Sequence, residues 1–78
     1  MDAQTARETV IRGKLVEVLG NAIASQLISK ATIAGMSGTS EEEKLKLIVG
    51  SICGDPRVLG MWGAAQIERQ KKEWLSLV

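Results

Sequence analysis

Apolar residues recur at helical spacing through most of this chain, and no segment shows the strict alternation of a half-buried strand. The clearest helix follows Ser40, a preferred N-cap residue, because the next three residues are glutamates that favour the positive end of a helix dipole. The apolar residues behind them fall on one face: Leu45, Ile48, Val49 and Ile52. These signals predict a helix from about 41 to 53, with Glu43 completing a capping box and Gly54 closing the helix in a left-handed conformation.

A further helix start lies at Asp55-Pro56, since aspartate caps helices and proline is favoured at the first helical position. We expect this helix to run from about 56 to 77. Its first half is apolar and contains Gly60 and Gly63, each of which costs roughly 1 kcal/mol relative to alanine inside a helix. The glycines are tolerable if another backbone packs closely there. The alternative is a helix that begins near Met61.

The amino-terminal third carries a second capping-box pattern, Thr5 with Glu8, followed by apolar residues at helical spacing as far as about Ala34. The apolar face turns at Gly20-Asn21, which favours a break or bend between helices of about 5–19 and 21–35. One long straight helix, suited to a dimer, is the alternative. The sequence therefore predicts an all-α bundle of three to four helices in a single domain spanning 1–78.

The length of the chain makes a stabilising partner useful. A domain of 78 residues buries only roughly 60% of the surface that its unfolded chain exposes, so its core is marginal. The single cysteine, Cys53, excludes an intramolecular disulfide, and the absence of histidine leaves a poor ligand set for zinc. A protein partner or self-association into a homo-oligomer is the remaining way to stabilise such a chain.

No group of residues predicts catalysis. Cys53 has no histidine to activate it and lies at the carboxyl end of its helix, where the dipole disfavours a thiolate, so we interpret it as a small buried residue. The glutamates 41–43 point about 100° apart and cannot converge on one ion. Glu17 is an ordinary surface charge beside Lys14. We expect no catalytic, metal or cofactor site and no small-molecule substrate, and an enzyme is the third choice of function.

The charge and hydropathy of the chain favour neither nucleic-acid binding nor membrane insertion. The formal net charge is +1, which gives little steering toward phosphates. Residues 31–35 have the alanine and glycine spacing of a helix-turn-helix, but the helix that follows would present Glu41, Glu42 and Glu43 to the DNA backbone. A nucleic-acid-binding protein is therefore the alternative function. No apolar run approaches the roughly 20 residues that span a bilayer, and no signal peptide is present, so we expect a cytoplasmic protein without membrane contact.

The two tryptophans are the only aromatic residues. We predict that Trp62 anchors the core, whereas Trp74 stands in a charged segment that offers Glu68/Lys72 and Arg69/Glu73 pairs. If exposed, Trp74 would centre a partner-binding patch made of residue types that dominate interfaces. The members of this patch are Ile67, Arg69, Trp74, Leu75 and Val78. The alternative is that they fold back on the core. The favoured function is a non-enzymatic helical interaction or oligomerisation module, and a small regulator of a larger protein is one form of it.

Overall fold

A computed structural model describes all residues from 1 to 78, which form four helices and no strand. The first helix covers residues 3–19, as Ala3–Ala6, Arg7–Ile11 and Arg12–Leu19; the second is Asn21–Gly35, the third Glu41–Cys53 and the fourth Pro56–Leu75. The predicted all-α class and the four helices are confirmed. No helix is both long enough and apolar enough to cross a membrane.

The first helix begins earlier than predicted. The side chain of Asp2 accepts a hydrogen bond from the Thr5 N–H at 2.7 Å, so Asp2 is the cap and Ala3 the first helical residue. The predicted capping box of Thr5 and Glu8 is wrong, because Thr5 already lies inside the helix and Glu8 pairs with Arg12 at 2.9 Å. The N-cap is Asp2 because its side chain accepts the free N–H of Thr5, three residues later.

A π turn interrupts the first helix, since the Arg12 N–H donates to the carbonyl of Arg7, five residues earlier. The extra residue rotates the buried face by one position. Ala6 and Ile11, five residues apart, therefore both lie in the core, whereas Val10 stays at the surface.

The predicted break between the first two helices is confirmed at Gly20. Its φ of 87° and ψ of 165° belong to a region that is essentially restricted to glycine. A Cβ placed there would meet no atom within 4 Å, so the backbone conformation alone requires glycine. The second helix then packs against the first.

The third helix has the predicted bounds and cap, with the Ser40 Oγ accepting from the Glu43 N–H at 3.1 Å. The Glu43 carboxylate accepts from the Thr39 N–H at 2.8 Å, one residue earlier than a capping box requires. The predicted left-handed cap at Gly54 is wrong, because its φ is −85°. The position favours glycine for a steric reason instead, because a Cβ there would lie only 3.0 Å from the carbonyl oxygen of Gly50.

The fourth helix starts as predicted, with Asp55 as cap and Pro56 in the first turn. It is not straight, because Gly63 has a φ of 77° and a ψ of 163°, outside the helical region. The helix is therefore divided into a first arm, residues 56–62, and a second arm, residues 64–75. The prediction of one helix of about 56–77 is correct in extent and wrong in shape.

Fifteen buried apolar residues contributed by all four helices form one core. Trp74 is its largest member and is completely buried, whereas Trp62 is half-buried and packs on Trp74 with the ring centroids 5.9 Å apart. The prediction that Trp62 anchors the core is therefore wrong. The kink at Gly63 turns the second arm back on the bundle, and this return buries Trp74.

Candidate interaction surface

The five residues predicted to bind a partner do not form an exposed patch. Trp74 is 0% exposed and Ile67 is 7% exposed, so both belong to the core. Leu75 is half-buried, and only Arg69 and Val78 reach the surface. The structure thus places the centre of the predicted patch inside the bundle, which is the alternative that the sequence left open.

The buried Trp74 leaves one polar atom without a partner, because its Nε1–H has no hydrogen-bond acceptor. An unpaired buried donor costs about 1–3 kcal/mol, and the burial of the large indole has to offset that cost.

Asp55 is the most extensively bonded side chain in the molecule. Although 4% exposed, its carboxylate accepts from the Arg57 backbone N–H at 2.9 Å, from the Arg57 guanidinium at 3.1 and 3.2 Å, and from the Lys30 ammonium at 3.3 Å. Arg57 also donates to the Gln26 side chain at 2.7 Å. Asp55 therefore caps the fourth helix and ties its start to the second helix.

These contacts lower the pKa of Asp55 to about 2, chiefly through the hydrogen bonds from the Arg57 side chain. The carboxylate is charged and fully engaged at neutral pH, so it offers neither a proton nor a free lone pair for chemistry. We assign Asp55 to stability rather than to a functional site.

The first group of exposed apolar residues lies on both sides of the kink at Gly63, where Leu59 and Met61 are two residues apart on one helical arm and point about 160° away from each other. Leu59 is 52% exposed and Met61 is 55% exposed, and neither contributes to the core. Glycine or alanine at positions 60, 63, 64 and 65 is also exposed, and no charged residue lies between positions 58 and 67. We call the exposed residues of 59–65 the elbow.

The exposed face of the second arm, next to the elbow, carries both signs of charge, with Glu68 and Glu73 exposed beside two cations. Ala65, Arg69 and Lys72 are spaced by four and three residues and are all exposed, so they share one helix face. The predicted pairs Glu68/Lys72 and Arg69/Glu73 are not formed. The positive charges beside the elbow are therefore free of ion-pair partners.

The second exposed apolar surface surrounds the loop between the second and third helices. Ile33 is 69% exposed, Met36 is 75% exposed and Leu47 is 38% exposed. Met36 lines one cleft with Glu41, and Leu47 lines another with Glu43. We call Ile33, Met36, Leu47 and the glutamates 41–43 the tip.

A polar cleft of about 380 Å³ lies beside the tip, between the start of the first helix, the end of the second and the start of the third. Its lining contains two acidic residues, Asp2 and Glu41, and two basic residues, Arg7 and Lys44, so their charges cancel. Glu41 is also occupied, accepting from the Ala3 N–H at 2.9 Å. The cleft presents no net charge that would select a ligand.

Cys53, the only thiol, is half-buried at the end of the third helix. Burial raises the pKa of the Cys53 thiol, which disfavours the nucleophilic thiolate. No three acidic or thiol side chains lie close enough together to hold a metal ion.

The sequence contained a signal for the elbow that did not predict its exposure. The charge-free run from 58 to 67 and its two glycines are visible without a structure, but an apolar run predicts burial unless a bend is known to expose it. The tip carried a weaker signal, because Ile33 and Met36 lie at the end of the second helix beside the loop 35–39. No protein family, curated protein or solved structure that was compared with the chain matches it.

Proposed function

We propose that this chain is a helical protein-interaction module that docks a partner on the elbow. The observation that carries the proposal is the exposure of Leu59 and Met61, each more than half accessible, within a run of ten residues without charge. Methionine and aromatic residues are enriched at the centres of protein interfaces, and charged residues are depleted there. The half-buried Trp62 at the edge of the elbow supplies the aromatic component.

The elbow is held in place before any partner binds. Trp62 packs on the buried Trp74, and Gly63 fixes the turn between the two arms. A backbone that is already held in place does not have to be ordered on binding, whereas the exposed side chains of Leu59 and Met61 still do. The ordered arms favour a docking role over exposure of the apolar side chains without a function.

The monomer supports docking rather than folding coupled to binding. Its accessible surface is 4445 Å², against about 4,600 Å² expected for a folded monomer of 8.4 kDa. Its radius of gyration is 11.2 Å, against about 11.5 Å expected for 78 residues. A chain of normal compactness does not need a partner to complete its core.

Two exposed positions allow a matched test. Met61→Glu places a charge in the elbow, and Val16→Glu places the same charge on the first helix, where Val16 is 37% exposed. Tagged wild type and both variants would be incubated with lysate of the source cell, with and without nuclease. We expect a bound protein that survives nuclease, is retained by Val16→Glu and is lost with Met61→Glu.

Methyl NMR locates the contact on the chain. The protein has three methionines, all exposed, so selective methyl labelling gives one reporter at Met1, one at Met36 and one at Met61. Addition of the captured partner is expected to shift the Met61 signal and to leave Met1 unchanged. Equal capture by both variants would refute the elbow as the docking surface, and capture that depends on nucleic acid would favour the nucleic-acid-binding alternative.

A further inference from the structure

We infer that Gly63 is a hinge about which the second arm leaves its own bundle and packs into the same place in a second copy of the chain. Such an exchange of identical elements between two copies is a low-cost route to a dimer. The inference goes beyond docking at the elbow, because it concerns the buried face of the second arm and the core that this face covers.

The local sequence does not specify the bend in the fourth helix. Residues 56–62 and 64–75 are helical, and Gly63 alone departs from the helical region. No serine, threonine, aspartate or asparagine, the usual N-cap residues, lies between positions 57 and 65. The alanines that follow the kink favour a helix strongly. Apart from the backbone of Gly63, nothing in this segment would stop the helix from continuing straight.

The second arm has no polar connection to the rest of the molecule. The Gln70 side chain donates to Glu73 at 3.3 Å, and Ser76 donates to the Glu73 carbonyl at 2.7 Å, so these hydrogen bonds stay within the last part of the chain. None of the ion pairs includes a residue of the second arm. The arm is held on the bundle by apolar burial, chiefly of Ile67 and Trp74, and it would take the partner of the buried Gln70 with it.

The first arm, by contrast, is anchored to the bundle. Asp55, the cap of this arm, binds the Lys30 ammonium at 3.3 Å, and Arg57 donates to the Gln26 side chain at 2.7 Å. Both partners belong to the second helix. The fourth helix is therefore divided at Gly63 into an arm fixed by polar contacts and an arm that can separate from the bundle without breaking one.

A straight fourth helix would carry Trp74 out of its own core. Trp74 lies eleven residues beyond Gly63, which corresponds to about 17 Å along a helix. The apolar face of the arm and the core that it leaves would then both be exposed. A second copy offers the same arm and the same core, so the contacts that are lost within one chain re-form between two. The exchange is reciprocal and therefore closes at the dimer.

The hinge residue sets the balance between monomer and dimer. A short linker gives the arm an effective concentration on the order of 1 mM at its own bundle, so the wild type should be mostly monomeric below that concentration. A methyl group at position 63 has room, but it disfavours the kinked backbone and favours the helical one, together by at least about tenfold. Because a dimer opens two hinges, Gly63→Ala should lower the Kd of dimerisation about 100-fold or more.

Sedimentation equilibrium tests the exchange with a matched control. Gly60→Ala adds the same methyl group at a position that is helical before and after the exchange, so its Kd should equal that of the wild type. Between about 1 μM and about 1 mM, Gly63→Ala should pass from monomer to dimer near roughly 10 μM, and its mass should not rise further. Gly60→Ala should remain mostly monomeric until the upper end of this range.

A cross-link distinguishes exchange from association of two intact bundles. Burial raises the pKa of the Cys53 thiol, and the charges of Lys71 and Glu68 also act on it, so the second arm lies beside the end of the third helix. In a Lys71→Cys background, a short bismaleimide would join the new cysteine to Cys53 within one chain in the monomer and between two chains in the exchanged dimer. A denaturing gel should show linked dimers for Gly63→Ala at about 100 μM and mainly single chains for Gly60→Ala.

Two results would overturn the inference. Equal Kd values for Gly63→Ala and Gly60→Ala would show that the backbone at position 63 does not control association. Single-chain products from a sample that sediments as a dimer would show that the copies associate without exchanging their second arms.

The wild-type hinge keeps the test decisive if circular dichroism shows that Gly63→Ala does not fold. The chain that carries only Lys71→Cys would be equilibrated at about 1 mM and should give a minor band of linked dimers, whose absence would overturn the inference. Docking at the elbow is tested separately by Met61→Glu on the monomer, so the failure of one proposal leaves the other standing.

Discussion

Replacement of Gly63 by alanine should destabilise the protein, although the added methyl group has room. Gly63 has a φ of 77° and a ψ of 163°, and a Cβ there would meet no atom within 4 Å. The cost is therefore confined to the backbone, where residues with a Cβ lose about 1–3 kcal/mol in such a conformation.

Gly60 provides the matched control three residues earlier. It is also exposed, and a Cβ there would also meet nothing within 4 Å, but its backbone is helical. Gly60→Ala should raise the free energy of unfolding by about 0.5–1 kcal/mol, because alanine loses less conformational entropy in a helix. The two variants should differ by about 1.5–4 kcal/mol.

Urea denaturation followed by circular dichroism at 222 nm measures both free energies of unfolding. In a thermal scan, each kcal/mol should correspond to about 4–8 °C in Tm at this chain length. A Gly63→Ala variant as stable as Gly60→Ala would mean that the fourth helix is straight at residue 63. The elbow, whose exposure depends on the kink, would then have no structural basis.

Three further outcomes are expected. In the first helix and at its end, Gly13→Ala should stabilise and Gly20→Ala should destabilise by amounts similar to those at 60 and 63, and equal unfolding midpoints would contradict the conformation at Gly20. Folding lowers the pKa of Asp55 from 3.8 to about 2, so its contribution to stability is present above the unfolded pKa and is lost as the pH falls toward 2. Between neutral pH and pH 2, Asp55→Asn should lose about 1–2 kcal/mol less of its free energy of unfolding than the wild type, whose remaining loss includes Asp2, Glu8 and Glu43, since their pKa values are also lowered. An unchanged profile in that variant would refute the assignment. Trp74→Ala should cost about 3–5 kcal/mol and Trp62→Ala about 1–2 kcal/mol, and the opposite order in chemical denaturation would restore Trp62 as the core anchor.

The parts of the fold that could be predicted are those decided by local chemistry. Ser40 and Asp55 cap helices through side chains that reach amides two or three residues away, so the sequence alone contains the whole interaction. The break at Gly20 could be predicted because the apolar face changes there.

The features of the fold that the sequence did not predict depend on contacts between residues that are distant along the chain. Gly60 and Gly63 are equivalent by local propensity, and only the packing of Trp62 on Trp74 distinguishes the helical glycine from the kinked one. The burial of Trp74 follows from that kink, because the charged sequence around it predicts a solvated helix. The sequence signals for the elbow and the tip could not be interpreted for the same reason: which apolar side chains remain exposed depends on how the helices pack.

The contact between Trp62 and Trp74 also gives the kink an optical signature. In a straight helix, twelve residues would separate the two indoles by about 18 Å along the axis, whereas their centroids are 5.9 Å apart. At the shorter distance the two transition dipoles couple, and they lie on rings inclined at 54°, so the pair is expected to produce an exciton couplet in the far ultraviolet. Because the protein has no other aromatic side chain, no other pair of rings contributes a couplet to the signal of the helical backbone, and the amplitude of the couplet depends on the distance and inclination of the two indoles. Any ligand, partner or substitution that separates the two indoles would be seen as a loss of this signal without a label.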